Sequence, residues 1–150
     1  MTISIDQARE ILEKRNQAFM TADLDGYMDF WSEDGVMELD GIQISGWQRM
    51  KEAIEGAWAI SSVLHFETRA FSVNGNSLLN EFSIVWQNKE THEVSLQTGM
   101  GVIEVDNDDK WVFLRDYFDA SGSNFFDSSS SKRLSAFNSK KVTELLGKSV

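Results

Sequence analysis

The side chain best suited to acid–base chemistry is Asp116, which interrupts an apolar, strand-like segment, Trp111–Asp119. Because side chains alternate along a strand, Leu114, Asp116 and Phe118 lie on one predicted face. Desolvation raises the pKa of a carboxyl among apolar neighbours, and a pKa near neutrality suits a general acid or base. A structural carboxylate, satisfied by a buried hydrogen bond or ion pair, would show the same pattern. Both interpretations are open at this point.

The second candidate is Arg15, because it interrupts the apolar stripe of the predicted first helix. From there it could reach the interior and bind an anionic or carbonyl oxygen of a ligand. It could instead pair with Asp116, which would lower the pKa of that carboxyl and weaken it as a base. A third interpretation is an arginine whose stem packs while its guanidinium reaches water.

The composition argues against cysteine-based and metal-based catalysis. The chain has no cysteine, which excludes thiolate chemistry and disulfides. The two histidines, His65 and His92, do not belong to a spaced cluster of metal ligands. We therefore predict no metal site and no cofactor.

Size and charge indicate one soluble domain. The 150 residues are 41% hydrophobic and 25% charged, as in ordinary globular proteins. The net charge is −10, and residues 1–120 carry nine basic against 22 acidic residues, a net charge of −13. Such a surface repels nucleic acid and anionic membranes. With no membrane-length apolar run and no signal pattern, we expect a cytoplasmic protein without nucleic-acid or membrane partners.

Helical patterns dominate the first part of the chain. Ser4 and Gln7 have the spacing of a capping box ahead of an amphipathic helix. A short second helix is predicted around residues 27–31. Ser45 and Gln48 repeat the capping-box pattern ahead of a third helix.

Strand patterns dominate the second part. A turn at residues 32–35 and a short strand, Val36–Leu39, precede the third helix. Gly99 and Gly101 lie inside a predicted strand and suggest a bend or bulge. Helices followed by long antiparallel strands indicate an α+β fold with a curved sheet around the helices. The long strands are predicted over residues 65–73, 78–86, 94–105 and 111–119.

The composition changes at Ser121. We predict a domain over residues 1–120, followed by a Ser-rich linker and a short basic tail over residues 121–150. A short helix within Ser139–Gly147, closed by its glycine, would dock on the domain or on a partner, or would fray.

The order of elements and two local strings resemble the nuclear transport factor 2-like superfamily, which includes SnoaL-like polyketide cyclases, ketosteroid isomerases and limonene-epoxide hydrolases. The first string is Ala22–Gly26 followed by Phe30–Asp34. The second, Leu114–Asp119, is similar to the final strand of the epoxide hydrolases. The resemblance spans roughly residues 5 to 120. It implies a cone-like curved antiparallel sheet wrapped around three N-terminal helices, a deep and mostly apolar pocket, and usually a homodimer.

Only part of the hydrolase machinery carries over. The resemblance places Asp116 at the position of the general base that activates water in those enzymes. Phe82 and Ile84 stand where they have a charged arginine and aspartate. Met37 and Leu39 fall near their water-holding tyrosine and asparagine. The catalytic base of the isomerases corresponds to Leu39 of this chain. Their oxyanion-binding acid corresponds to a position near Gly101, and their helix-one tyrosine to a position near Arg15. The usual isomerase reaction therefore does not carry over either.

This fold hosts many functions. The resemblance implies a SnoaL-like protein that binds a small, largely apolar molecule. Asp116 and Arg15 are the candidate catalytic residues for an isomerase, cyclase or hydrolase. The alternative is a non-catalytic ligand-binding or dimerisation module, and the outward-facing Arg115 and Tyr117 are candidates for a homodimer interface. Candidate ligand-binding residues are Phe19, Trp31, Phe82, Trp86, Gln97, Leu114 and Phe118.

Overall fold

A computed structural model of the protein describes residues 2–119, 140–145 and 147. Among these residues, no helix combines the length and the apolar character needed to cross a membrane. In chain order the elements are α1 (Ile5–Met20), α2 (Leu24–Met28), β1 (Trp31–Leu39), β2 (Ile42–Ser45), α3 (Trp47–Ile60), β3 (Ser61–Asn74), β4 (Ser77–Asn88), β5 (Val94–Val105), β6 (Trp111–Phe118) and α4 (Lys140–Leu145).

The strands form one six-stranded sheet in the order β2-β1-β6-β5-β4-β3. Neighbouring strands are antiparallel, except that β1 and β6 run parallel. Helix α1 packs against β3, and α3 packs against β1 and β3, so the core lies between the helices and the inner face of the sheet. The predicted α+β fold, a curved sheet wrapped around three N-terminal helices, is confirmed.

The two predicted capping boxes have different outcomes. At α1 the Ser4 side chain accepts the Gln7 backbone N–H at 3.1 Å, and the Gln7 side chain accepts the Ser4 N–H at 2.8 Å. At α3 the predicted box is wrong, because Gly46 is the N-cap and no side chain of the described ranges caps the helix. Ser45 still belongs to β2, where it pairs with Val36 of β1.

Strand β1 is longer than predicted. The expected turn at residues 32–35 is wrong, because the strand begins at Trp31 and absorbs the extra residues as an irregularity in its pairing with β6. The sequence patterns did not predict strand β2. It is joined to β1 by Asp40 and Gly41, both with positive φ, as in tight two-residue hairpins.

Gly99 and Gly101 do not mark a bulge, because the pairing of β4 with β5 is continuous through both positions. They provide space instead. A Cβ at Gly99 would lie 2.6 Å from the Phe82 ring, and a Cβ at Gly101 would overlap the Asp116 carboxylate. Both glycines therefore allow inward side chains of the neighbouring strands to lie against the backbone of β5.

Helix α4 packs against β3 and β4, and Val142 is fully buried. Gly147 follows it with a φ of 67° and donates its N–H to the Glu144 carbonyl. The predicted Ser-rich linker lies outside the described residues. The division of the chain at residue 120 stays a prediction.

Candidate functional site

An internal cavity of about 210 Å³ lies between the helices and the inner face of the sheet. Its few polar side chains, Arg15, Tyr27, Gln97 and Asp116, converge on a largely apolar space, as in most small-molecule sites. The other walls are aromatic and aliphatic, formed by Phe19, Met37, Leu39, Ile54, Ala57, Trp58, Phe66, Phe82, Ile84, Trp86, Leu114 and Phe118.

The carboxyl of Asp116 is buried at this cavity, with 8% of the residue exposed. Among the described residues, no donor reaches its Oδ1 atom, which lies against Gly101. Burial raises the pKa of Asp116 to about 7, the nearby Arg15 charge opposes that rise, and the Asp40 charge adds to it. The group can therefore gain or lose a proton near neutral pH.

The guanidinium of Arg15 is held by two neutral amides. Its Nε and Nη2 atoms donate to Asn16 Oδ1 at 3.1 and 3.0 Å, and its Nη1 donates to Asn80 Oδ1 at 2.8 Å. Asn16 in turn donates to Thr68 Oγ1, and Asn80 donates to the Gly101 carbonyl. The network fixes the guanidinium between α1 and the sheet.

Aromatic rings also pack on the guanidinium. The Arg15 Cζ atom lies 4.5 Å from the Phe66 ring centroid and 5.3 Å from that of Phe82, within range of cation–π attraction. Only 2% of Arg15 is exposed. The interpretation of Arg15 as a residue that reaches water is therefore wrong.

Three titratable groups interact across the cavity. Burial lowers the pKa of Arg15 to about 10, whereas the Asp116 charge and Tyr27 oppose that change. Burial and the Asp116 charge raise the pKa of Tyr27 above its usual range. Within the described ranges no carboxylate oxygen lies within 4.0 Å of Arg15, so Arg15 and Asp116 do not form a contact ion pair. At Asp116, the rise in pKa caused by desolvation is larger than the fall caused by the Arg15 charge.

A hydrogen bond from Trp86 Nε1 to Gln97 Oε1, 2.9 Å long, lies at one side of the cavity. Both residues, together with Ala57, also line an open pocket of about 450 Å³ on the outside. Trp86 and Gln97 therefore border both the inner cavity and the outer pocket.

Of the nine predicted site residues, the structure places eight on the cavity wall: Arg15, Phe19, Phe82, Trp86, Gln97, Leu114, Asp116 and Phe118. Trp31 is not on the wall. It begins β1 instead of ending α2, and its ring packs in the core against Trp111 at 5.5 Å between centroids.

Tyr27, Trp58 and Phe66 line the cavity but were not among the predicted site residues. Their apolar character and helical or alternating spacing indicate only that they are buried. Which buried side chain faces a cavity depends on how α2, α3 and β3 pack together, so no local signal separates these residues from the core.

The family model for the SnoaL-like domain matches residues 12–114, more than half of the chain. This protein belongs to the SnoaL-like domain family. The match confirms the predicted membership of the nuclear transport factor 2-like superfamily. No match is found among curated proteins.

Solved structures with the same fold have low sequence identity to this SnoaL-like protein. An LEH-like epoxide hydrolase from M. tuberculosis has a TM-score of 0.64 and 22% identity, with 75% of this chain and 82% of that chain covered. A hypothetical protein with a ketosteroid isomerase-like fold from Catenulispora acidiphila, in complex with trimethylamine, has a TM-score of 0.67 and 14% identity, with 75% and 87% covered. An NTF2-like protein of unknown function from Exiguobacterium has a TM-score of 0.64 and 15% identity, with 73% and 98% covered.

Proposed function

We propose that this SnoaL-like protein binds a small, largely apolar molecule in the internal cavity and transfers a proton with Asp116 as general acid or base. The observation that carries the proposal is the buried carboxyl of Asp116, a residue of the apolar cavity wall whose Oδ1 atom lacks a donor among the described residues. A structural carboxylate of this kind would ordinarily be hydrogen-bonded.

The two charged groups have separate roles in the proposed chemistry. Ionised Asp116 removes a proton from the bound molecule or from water, and the protonated form returns one. The fixed Arg15 guanidinium stabilises the negative charge that develops on an oxygen during this transfer. Isomerisation, cyclisation and water addition all contain such a step, so the proposal covers the three reaction classes.

The cavity volume limits the ligand. A cavity of about 150 Å³ lined by apolar side chains holds benzene. A volume of about 210 Å³ therefore suits a molecule with one ring and short substituents better than a fused multi-ring compound.

A non-catalytic ligand-binding module is the alternative, and one observation favours it. Phe82, Ile84, Met37 and Leu39 line the cavity at the positions where the hydrolase resemblance would require polar helpers. Asp116 is thus the only carboxylate on the wall of the cavity, within the part of the chain that the structure describes.

We also propose a homodimer that forms through the outer face of the sheet. Met100 of β5 and Tyr117 of β6 are register partners on that face. Met100 is 62% exposed and Tyr117 is 57% exposed. Two large apolar side chains side by side on a strand pair are typical of a surface that a second subunit covers.

The test compares wild type with Asp116→Asn, using Asp34→Asn as a surface control. One-ring ketones, epoxides and enones are first screened for binding by NMR, and turnover is then measured for each compound that binds. We expect Asp116→Asn to retain binding and to lower turnover about 10²- to 10⁴-fold. Unchanged turnover in Asp116→Asn would contradict the role of the base, whereas binding without any turnover in wild type would favour the alternative.

A further inference from the structure

Within the part of the chain that the structure describes, no group in contact with Arg15 neutralises its positive charge. Its acceptors are the uncharged amides of Asn16 and Asn80. A guanidinium has five N–H bonds, of which three have acceptors here. Among the described residues, no acceptor is assigned to the remaining two, although the side chain borders the cavity and is almost fully buried.

Asp116 does not neutralise the Arg15 charge by direct contact. The charged and titratable groups that face it are Arg15 from α1, Tyr27 from α2 and Asp40 from the β1–β2 turn. Its carboxyl makes no contact with the guanidinium within 4.0 Å, and Asp40 adds a repulsive charge. When Asp116 is protonated, the cavity therefore keeps the full charge of Arg15, with no counter-ion among the residues that the structure describes.

We propose that the ligand is a small monoanion, an aromatic or alicyclic carboxylate, whose oxygens bind Arg15 while Asp116 takes up a proton. The planar fork of a guanidinium matches a carboxylate in a bidentate arrangement. The inference rests on the proposed ligand-binding function of the same cavity and adds the charge of the ligand; with this ligand bound, Asp116 is the acid of the proposed proton transfer.

Proton uptake follows from the charges. An ionised Asp116 and a bound carboxylate would place two negative groups in one buried space, which favours protonation of one of them. The carboxylate that is held by Arg15 stays ionised, so Asp116 is the group that gains the proton. Ligand affinity and the proton on Asp116 are thereby linked.

Isothermal titration calorimetry on the full-length chain tests the inference with benzoate and its neutral isostere benzamide, from pH 6 to pH 8.5. We expect benzoate to bind most tightly at pH 6 and its affinity to fall about tenfold per pH unit above pH 7, as for one linked proton. At pH 8.5 the binding heat should depend on the ionisation enthalpy of the buffer, with close to one proton taken up, whereas at pH 6 this dependence should nearly vanish because Asp116 is already protonated in the free protein. Benzamide should bind more weakly at pH 6 and independently of pH.

Three variants locate the effect. Arg15→Gln should remove the preference for benzoate, and Arg15→Lys keeps the charge in case the first variant does not fold. Asp116→Asn should bind benzoate without pH dependence. Arg49→Gln, which removes an exposed arginine, is the matched control and should behave as wild type.

Benzyl alcohol separates this inference from the proposed function. If benzyl alcohol and benzamide bind in the cavity while benzoate does not, or if benzoate binding is flat with pH, the anion inference is overturned and the ligand-binding function stands. If none of the three probes perturbs the NMR signals of cavity residues, both are overturned.

Discussion

The carboxyl of Asp116 lies near a buried arginine, yet it holds its proton more tightly than a carboxyl in water. Its pKa is raised from 3.8 to about 7 because desolvation outweighs the attraction of Arg15. Between these two values the folded chain binds more protons than the unfolded chain. The contribution of this group to stability is therefore fully present below pH 3.8 and is lost as the pH rises through about 7.

Replacement of Asp116 by asparagine removes this pH dependence. We expect the free energy of unfolding of Asp116→Asn, relative to wild type, to rise by at most about 4 kcal/mol between pH 4 and pH 8.5, since one pKa unit corresponds to about 1.4 kcal/mol. Urea unfolding at several pH values measures the difference. A difference that is constant with pH would show that the wild-type carboxyl titrates normally.

Gly101 is required for the close approach of Asp116 to β5. A methyl group there would overlap Oδ1 and lie 2.6 Å from the Arg115 carbonyl, so we expect Gly101→Ala to destabilise the fold by about 1–3 kcal/mol. Part of that loss should be recovered in Gly101→Ala/Asp116→Ala. The exposed helical Gly56, where a Cβ meets nothing within 4 Å, is the control: Gly56→Ala should stabilise by about 0.5–1 kcal/mol. Strictly additive effects in the denaturation midpoints would contradict the steric explanation.

At the scale of elements, the parallel pairing of β1 with β6 supports the strand that carries the candidate base. Leu39 is the register partner of Asp116, and the Asp40 N–H donates to the Asp116 carbonyl at 3.0 Å. The Asp40 side chain in turn accepts the Phe118 N–H at 2.9 Å. The β1–β2 turn therefore fixes the backbone that directly follows the Asp116 side chain, from the Asp116 carbonyl to the Phe118 N–H.

The two helix starts predict different responses to the same substitution. Ser4→Ala removes a capping hydrogen bond of α1 and should cost about 1 kcal/mol of unfolding free energy. Ser45→Ala removes an exposed hydroxyl that caps nothing, so we expect a change within about 0.5 kcal/mol. Chemical denaturation of both variants measures the contrast, and equal losses would mean that Ser45 does contribute to the start of α3.

At the scale of the whole molecule, the outer face of the sheet determines the proposed assembly. We expect wild type to sediment as a dimer and the double variant Met100→Asp/Tyr117→Asp to sediment as a monomer, because the added charges would be buried in the interface. Ile42→Asp changes an equally exposed apolar residue on the edge strand and serves as the control. Analytical ultracentrifugation distinguishes these cases. A wild-type monomer at all concentrations would contradict the dimer.

Features that depend on neighbours along the chain are predictable from the amino-acid pattern. The capping box of α1, most of the long strands and the common face of Leu114, Asp116 and Phe118 follow from local hydrogen bonding and from strand alternation. The tight turn at Asp40–Gly41 has an equally local signal, although the strand beyond it was missed.

The roles of the buried residues, in contrast, depend on how distant parts of the chain pack together. Strand packing placed Trp31 in the core, and the packing of α2 placed Tyr27 on the cavity wall, although both lie on apolar local patterns. The role of Gly101 became clear only from the position of Asp116 on the neighbouring strand. The competition between Arg15 and desolvation at Asp116 was likewise open in the sequence, because burial and the distance between two charges depend on contacts between residues far apart in the chain.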